Sequence, residues 1–202
     1  MIKIGITGGI GSGKSVVCDI LHLHNIAVFD ADKEAKLLNN TSKIIREKLI
    51  NHFGKDIYTE NKLNRKIFGE LIFNNEDNLK IANSIIHPEV ANSFIKWCQH
   101  HSSSSIVAIE SAILIEAGFK KHIDKLITVY APEELRIKRV ANRDNTSIEN
   151  IKSRINNQIS EEKKIQLSDY LIFNDNYHSL ILQVYEIINN LLFKYQLNMN
   201  RI

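Results

Sequence analysis

Hydrophobic residues lie along this chain in short runs that alternate with longer stretches of helical spacing. Each run ends at glycine, proline or polar residues, as the strands of a buried sheet do. The runs predict five strands, which we place at residues 2–7, 26–29, 106–110, 125–130 and 170–173. Because strands alternate with helical segments, the pattern predicts an α/β fold with a doubly wound parallel sheet flanked by helices.

The long stretch between the second and third predicted strands, residues 33–101, contains no convincing strand. Its apolar residues recur at helical spacing, as Ile67 and Leu71 do, and this predicts a helical insertion. Pro88 provides no amide hydrogen and disfavours helical geometry at the residue before it. We therefore expect the helix to break at His87 and Pro88.

Two more helical segments are predicted nearer the C-terminus. Residues 139–164 are polar with a helical period, and residues 178–195 have an amphipathic pattern. A chain of 202 residues is long enough for one α/β domain with such additions, but too short for two full enzymatic domains. We therefore expect a core made of residues 1–31, 102–138 and 165–202, an insertion at 32–101 and a separate helical segment at 139–164.

The composition is that of an ordinary folded protein, with 44% hydrophobic and 24% charged residues. It excludes collagen-like, low-complexity and mostly disordered classes. Cys18 and Cys98 have no spacing that suits a disulfide framework or a zinc site, so a reducing compartment is expected. The sequence shows neither a leader pattern nor an apolar stretch of about 20 residues, so we expect a cytoplasmic protein without a membrane span.

The net charge of +3 is concentrated in one window of the sequence. Between Arg136 and Arg154 six basic residues face two acidic ones, an excess of four. A general nucleic-acid binder more often has a longer basic face, whereas a compact arginine-rich segment suits a small polyanion such as a nucleotide. A solvated helix surface is the alternative interpretation.

A glycine-rich loop follows the first predicted strand and precedes a predicted helix. Its sequence from Gly8 to Ser15 fits GxxxxGK followed by serine or threonine, in the setting that a phosphate-binding loop needs. Glycines let backbone amides converge on phosphate oxygens, Lys14 bridges the outer phosphates, and Ser15 can ligate Mg²⁺. We predict that phosphate is bound by Gly8, Gly9, Gly11, Ser12, Gly13, Lys14, Ser15 and Val16.

A phosphate-binding loop does not identify the group that receives the phosphate. The base-recognition pattern NKxD of GTPases is absent, since the nearest string is Asn61-Lys62-Leu63-Asn64. A motor or a large ATPase would need a longer chain. A small-molecule kinase is therefore the leading class, in which the insertion would hold the acceptor and the arginine-rich segment would form a lid.

Acidic residues at two predicted strand ends are candidates for catalysis. Asp30 and Asp32 stand two apart after the second strand, so the period of a strand directs both into the crevice at the carboxyl ends. One of them would orient and deprotonate the attacking hydroxyl, unless it only caps the next helix. Glu110 ends the third strand, where an acidic residue supports Mg²⁺, with a solvated strand end as the alternative.

The sequence resembles the dephospho-CoA kinase family over nearly its whole length. The opening from Ile4 to Ser15 is similar to that family's opening beyond the generic loop, and Asp30-Ala31-Asp32 follows at the family's spacing. The resemblance implies a kinase core, a helical acceptor domain at 32–101 and a lid at 139–164. The other similar positions, in the family's order, are Leu63-Asn64-Arg65, Ile86-His87-Pro88, Glu110 to Glu116, Arg139, Arg143, Gln158 and Asn174.

The resemblance also implies an activity, in which ATP phosphorylates the ribose 3′-hydroxyl of dephospho-CoA and Mg²⁺ is carried with ATP. Simpler roles stay open for three positions: Arg143 as a surface pair on the lid, His87 as a helix break and Arg65 as a surface cation. The implied roles are the base for Asp32, contacts to the phosphates for Lys14, Arg139 and Arg143, a place beside adenine for Asn174, and the acceptor side for Arg65 and His87.

The chain departs from the family's pattern at two places on the acceptor side. Asn64 stands where the family usually has Asp, so a neutral amide replaces a charge, and Ala112 stands where the family usually has Pro. Neither change touches Lys14, Ser15 or Asp32, so the catalytic assignment is unaffected.

Two other functions fit the same residues. One is a kinase for another nucleoside or nucleotide, because such kinases share the core and this chain departs from the family's pattern in the acceptor-side motifs. The other is a nucleotide-binding module without catalysis that acts on a protein or RNA through the arginine-rich segment. The expected partners are ATP and dephospho-CoA, without nucleic acid or a membrane, and the sequence indicates no protein partner.

Overall fold

Strands and helices alternate along the chain in this computed structural model, which describes residues 1–73 and 75–199. The strands are β1 (Ile2–Thr7), β2 (Ala27–Asp30), β3 (Tyr58–Thr59), β4 (Lys62–Leu63), β5 (Ile106–Glu110), β6 (Lys125–Tyr130) and β7 (Tyr170–Phe173). The helices are α1 (Lys14–Leu23), α2 (Ala31–Thr41), α3 (Lys43–Phe53), α4 (Arg65–Phe73), α5 (Glu76–His100), α6 (Glu133–Asp144), α7 (Ile148–Asn156), α8 (Glu161–Leu167) and α9 (Leu180–Met199).

Five of these strands form one sheet, in the order β2-β5-β1-β6-β7. Strand β1 pairs in parallel with β5 and with β6, and β6 pairs in parallel with β7. The five predicted strands are all present, and the predicted fold class is confirmed. The second strand runs from Ala27 to Asp30, one residue later than the predicted range 26–29.

Strand β1 is buried on both faces, which explains why it reads as a nearly continuous hydrophobic run. On one face Ile4 and Ile6 are fully buried and join a core cluster with Val17 of α1 and Val184 of α9. On the other face a β-carbon at Gly5 would lie 3.2 Å from Leu114, so that side is also filled. This packing fixes the carboxyl end of β1, from which the glycine-rich loop starts.

Helix α5 passes through Pro88 without a break, so the expected interruption at His87 and Pro88 is wrong. The proline removes one amide donor from inside the helix. Its neighbours Ile85, Val90 and Phe94 are 7%, 2% and 1% exposed. This burial stabilises the continuous helix more than the lost hydrogen bond destabilises it.

A short hairpin lies within the insertion, contrary to the expectation that residues 33–101 contain no strand. Strands β3 and β4 pair in antiparallel fashion over two residues each. The residues between them, Glu60 and Asn61, have φ angles of 48° and 66°, which the tight turn requires. The turn lacks the glycine that usually marks such a hairpin in a sequence. The hydrophobic pattern therefore did not reveal it.

The chain divides into two compact units. The core unit is Met1–Phe29 together with Cys98–Ile202, and the insertion unit is Asp30–Trp97. The predicted limits of the lid, residues 139 and 164, fall inside α6 and α8, and the functional division into core, acceptor domain and lid stays a prediction. None of the helices in the described part of the chain is long and apolar enough to cross a membrane.

Candidate active site

The glycine-rich loop connects β1 to α1 in the core unit. At its start Gly8 has a φ of +144°, and a β-carbon there would lie 2.2 Å from the carbonyl oxygen of Val129. At its end Gly13 has a φ of 94° and precedes α1 without a side-chain cap. Any other residue would be strained at these two positions, so the shape of the loop depends on the glycines. Ser15 and Val16 are exposed in the first turn of α1, whose amides can donate to an anion.

Lys14 is held inside the loop to which it belongs. Its Nζ donates to the carbonyl oxygens of Gly8 at 3.1 Å and Gly9 at 3.5 Å, and lies 3.8 Å from Oε1 of Glu110. The side chains of Lys14 and Glu110 are only 11% and 18% exposed, so Glu110 is not a solvated strand end. An ammonium group in this position can exchange the loop carbonyls for phosphate oxygens.

Asn174, directly after β7, packs against the same loop. Its Nδ2 donates to the carbonyl oxygen of Ser12 at 2.8 Å. Arg139 on α6 donates to the carbonyl oxygen and to Oδ1 of Asn174, both at 3.2 Å, and to Oδ1 of Asn176 at 3.0 Å. The fold thus links two predicted site residues to the phosphate-binding loop, Asn174 directly and Arg139 through Asn174.

The segment that carries Asn174 is shaped by its neighbour Asp175. The Asp175 carboxylate accepts hydrogen bonds from the backbone amides of His178 at 3.1 Å and Tyr177 at 3.0 Å, and it contacts Nδ1 of His178 at 2.9 Å. These hydrogen bonds, that from the His178 amide above all, lower the pKa of Asp175 to about 2. The carboxylate is therefore charged near neutral pH and keeps the segment in shape.

Arg143 has a different environment from Arg139, although both lie on α6. Its side chain is 64% exposed, and its Nε and Nη2 donate to the carboxylate of Asp144 at 2.7 and 3.2 Å. Arg154 on α7 donates to the same carboxylate at 3.1 Å. The hydrogen bond from Arg143 is the largest cause of a lowered pKa at Asp144. The hydrogen bonds of Arg143 therefore place it in a surface ion cluster rather than on the phosphate-binding loop.

A buried polar group beside the loop was missed by the sequence analysis. Arg136 is 3% exposed and Lys164 is fully buried. For Arg136 this excludes the solvated helix surface that was the alternative interpretation of the arginine-rich window, and the charge count did not extend to Lys164. Burial depends on tertiary packing, which a charge count does not contain. The group comprises Arg136, Gln158, Glu161 and Lys164, and the first three line a cavity of about 480 Å³.

The insertion unit contains the two candidate aspartates. Asp30 is the N-cap of α2, because its carboxylate accepts a hydrogen bond from the amide of Lys33 at 2.8 Å. Asp32 lies in the first turn of α2. The chain becomes helical at Ala31, so the prediction that the period of a strand directs both carboxylates alike is wrong. Asp30 has the capping role that the sequence left open, and Asp32 remains the candidate base.

Two other predicted acceptor-side positions flank the start of α4 in the same unit. Oδ1 of Asn64 accepts hydrogen bonds from the amides of Lys66 and Ile67, each at 3.2 Å. Asparagine and aspartate cap helices about equally well, so this departure from the family's pattern keeps the local structure. Arg65 is exposed, and its contact with an acceptor stays a prediction.

His87 on α5 lies close enough to Asp32 for the charge of that carboxylate to act on it. Burial lowers the pKa of the imidazole, and the negative charge of Asp32 opposes this with a smaller effect. The imidazole is therefore neutral at pH 7 in the folded protein. This electrostatic effect of Asp32 on His87 is consistent with the predicted base and the predicted acceptor-side histidine belonging to one site.

We expect acid to destabilise the protein through His87. Its folded-state pKa lies below the unfolded value of 6.5, so below pH 6.5 the unfolded chain binds a proton that the folded chain does not. The resulting loss of stability is at most about 1.4 kcal/mol for each pH unit. Urea unfolding at pH 7.5 and 5.5 should show a smaller loss in His87→Gln, which cannot titrate. Equal losses in both proteins would contradict the assignment.

Comparison with known proteins places the chain among named relatives. Residues 2–179 match the family model for dephospho-CoA kinase. The dephospho-CoA kinase of Bacteroides fragilis is 42% identical over 187 residues, which cover 93% of this chain and 91% of the relative. The dephospho-CoA kinase of Porphyromonas gingivalis is 42% identical over 189 residues, 93% of each chain.

Solved structures show the same architecture. The protein TT1252 from Thermus thermophilus superposes with a TM-score of 0.83 at 28% identity, covering 94% of this chain and 96% of that one. Dephospho-CoA kinase from Campylobacter jejuni gives a TM-score of 0.67 at 28% identity, covering 93% and 95%. Shikimate kinase from Acinetobacter baumannii, at 17% identity and a TM-score of 0.54, shares the fold alone. The match of the family model over most of the sequence shows that this chain belongs to the dephospho-CoA kinase family.

Proposed function

We propose that this protein transfers the γ-phosphoryl group of ATP to the ribose 3′-hydroxyl of dephospho-CoA, forming coenzyme A and ADP. The observation that carries the proposal is the 42% identity to named dephospho-CoA kinases over 93% of the chain. The intact phosphate-binding loop around Lys14 supports it from the structural side. Transfer is direct and in line: the acceptor oxygen bonds to the γ-phosphorus as the bond to the bridging oxygen of ADP breaks.

The residues of the core unit hold and neutralise the triphosphate. Lys14 leaves the carbonyl oxygens of Gly8 and Gly9 and binds the outer phosphate oxygens, while the amides at the start of α1 bind the inner ones. Arg139 stands beside Asn174, which we assign to the adenine side of the nucleotide. The guanidinium of Arg139 can contact the transferring phosphoryl group only if some of its hydrogen bonds to Asn174 and Asn176 break.

Asp32 is the proposed base of the reaction. It accepts the proton of the 3′-hydroxyl as that oxygen attacks phosphorus, and His87 beside it is neutral at pH 7. Arg65 and His87 are assigned to the acceptor side. The proximity of His87 and Asp32 within the insertion unit supports this grouping.

The donor set fits a magnesium ion that arrives with ATP rather than a resident metal. Within residues 1–73 and 75–199 there is no cluster of three His, Cys, Asp or Glu side chains that would hold a metal alone. Mg²⁺ is commonly bound by one or two protein oxygens together with substrate phosphates and water. The hydroxyl of Ser15 is the proposed ligand, and Glu110 acts indirectly from its place beside Lys14. When bound, the ion neutralises charge that develops on the phosphate oxygens.

The arginine-rich window supports a nucleotide rather than a nucleic acid as ligand. Arg136 is buried, Arg139 is bonded to Asn174, and Arg143 and Arg154 both bind Asp144. The four arginines of the window are thus buried or bonded to other groups of the protein, and they do not form a continuous unpaired basic surface. We further propose a cytoplasmic location, which the two free and buried cysteines support.

The test is ADP release from ATP and MgCl₂ with dephospho-CoA as acceptor, compared with AMP, adenosine, dTMP and no acceptor. Selective turnover of dephospho-CoA, with the product identified as coenzyme A by mass, is the expected result. Preference for another acceptor would transfer the assignment to a different small-molecule kinase. ATP binding without transfer to any acceptor would overturn the catalytic role.

A further inference from the structure

A lysine with no exposed surface lies next to the phosphate-binding loop without being part of it. Lys164 on α8 is fully buried. Its Nζ donates to Oε1 of Glu161 at 3.2 Å and, more weakly, to Oε1 of Gln158 at 3.5 Å. Burying an ammonium group is unfavourable unless its partners compensate for the lost hydration. Since this charge cannot touch solvent, its effect must pass through the groups that it contacts.

One of those groups reaches the loop. Oε1 of Gln158 also accepts a hydrogen bond from the amide of Ile10 at 3.2 Å. Ile10 lies between Gly9 and Gly11, two of the residues that we assign to phosphate binding. Oε1 of Glu161 lies only 2.7 Å from the place that a β-carbon of Gly9 would occupy. Two consecutive residues at the tip of the loop, Gly9 and Ile10, are therefore set against this buried cluster.

The segment that carries Gln158 is itself anchored. It joins α7 to α8, and the amide of Ile159 donates to Oε1 of Glu116 at 3.0 Å. Ser160 caps α8 by accepting a hydrogen bond from the amide of Lys163 at 3.3 Å. These contacts restrict the backbone on either side of Gln158, so the amide oxygen is presented to Ile10 from a fixed support.

We propose that Gln158 and Lys164 are positioning residues that set the phosphate-binding loop for ATP. The buried ammonium orients the amide oxygen of Gln158, and this oxygen holds the Ile10 amide so that the amides after it face the nucleotide phosphates. The inference rests on the proposed role of the loop in binding ATP. We assign neither side chain to direct substrate contact, because Lys164 has no exposed surface and the amide oxygen of Gln158 already accepts hydrogen bonds from Ile10 and Lys164.

The direct test is hydrogen exchange at Ile10, which needs no catalysis. Gln158→Leu removes the acceptor at similar size, and Gln158→Glu restores an acceptor beside Lys164. We expect the Ile10 amide to lose protection in Gln158→Leu and to regain it in Gln158→Glu, while the amides of β1 and β6 are unchanged. The Kd for ADP, titrated with MgCl₂, should rise about tenfold in Gln158→Leu.

Lys164→Met tests the buried charge, with Lys163→Met as its matched control, since Lys163 is exposed on the same helix. We expect Lys164→Met to raise the KM for ATP about tenfold with little change in the KM for dephospho-CoA. Unchanged Ile10 exchange and ADP affinity in a folded Gln158→Leu would overturn the proposal. So would parallel losses for both substrates, which indicate a purely structural role.

These outcomes remain separate from the proposed function as a whole. If the unaltered protein binds ADP but phosphorylates no acceptor, the kinase assignment fails, yet the exchange and ADP titrations still test the positioning role. Suppose instead that the unaltered enzyme turns over dephospho-CoA and that Gln158→Leu has the same hydrogen exchange at Ile10, the same Kd for ADP and the same turnover rate. The positioning role then fails, and the kinase assignment stands. If Lys164→Met does not fold, Gln158→Leu, which alters no charge, still tests the positioning role.

Discussion

Replacing Arg139 by alanine is expected to lower kcat about 10³-fold, the scale at which an arginine stabilises charge in phosphoryl transfer. Arg139 on α6 is linked to the phosphate-binding loop through two hydrogen bonds to Asn174, whose side chain donates to Ser12. Arg139→Lys keeps the positive charge but loses the forked geometry of the guanidinium. Its kcat should therefore lie between that of the unaltered enzyme and that of Arg139→Ala. Steady-state turnover of dephospho-CoA at saturating ATP gives the measurement.

Lys138→Ala is the matched control, because Lys138 is exposed on the same helix and one residue away. It should turn over at the rate of the unaltered enzyme. If Arg139→Ala raises the KM for ATP but leaves kcat unchanged, then Arg139 acts only by supporting Asn174 and the nucleotide. If neither constant changes, Arg139 is a structural residue of α6 and has no role in the reaction.

Asp32→Asn should lower kcat about 10²-fold or more and leave the KM for ATP nearly unchanged. The amide keeps the size of the side chain but cannot accept the proton of the attacking hydroxyl, and general base catalysis contributes about 10²–10⁴-fold. The comparison with Asp30→Asn is informative, since asparagine caps a helix as well as aspartate does. Asp30→Asn should therefore be nearly silent.

A reversed result, with Asp30→Asn inactive and Asp32→Asn active, would exchange the roles of the two aspartates. Full activity in both variants would remove a carboxylate base from the mechanism. The pH dependence of kcat/KM is a second measurement. Protonation of the base lowers kcat/KM at acidic pH in the unaltered enzyme, and this decrease should be absent from the variant that lacks the base.

Local signals explain what the sequence predicts well. The central strands β1, β5 and β6 are buried along most of their length, so their hydrophobic runs are nearly continuous, and the strand ends are marked by polar residues or glycine. The phosphate-binding loop is equally local, since Gly8 and Gly13 need backbone angles that other residues avoid. Both features are determined by residues adjacent in the chain, and both appear in the structure where they were expected.

Features that depend on distant packing were missed or misjudged. The strand period failed at Asp32 because the chain turns into α2 immediately after β2, with Asp30 in the capping role that the sequence had offered only as an alternative. Pro88 was read as a break, yet burial of the residues around it keeps α5 continuous. The burial of Arg136 and Lys164 was not predicted, since nothing in the charge pattern distinguishes them from surface residues. Burial results from which elements meet, and one sequence does not contain that information directly.

The resting place of Lys14 has a consequence for ligand discrimination. Its ammonium already has oxygen partners at Gly8, Gly9 and Glu110, so an incoming anion must replace existing contacts rather than occupy an empty position. A single orthophosphate offers few additional contacts in exchange. A triphosphate would also engage the amides of α1 and offer two neighbouring phosphates to the lysine. We therefore expect the loop to bind a nucleoside triphosphate in preference to free orthophosphate.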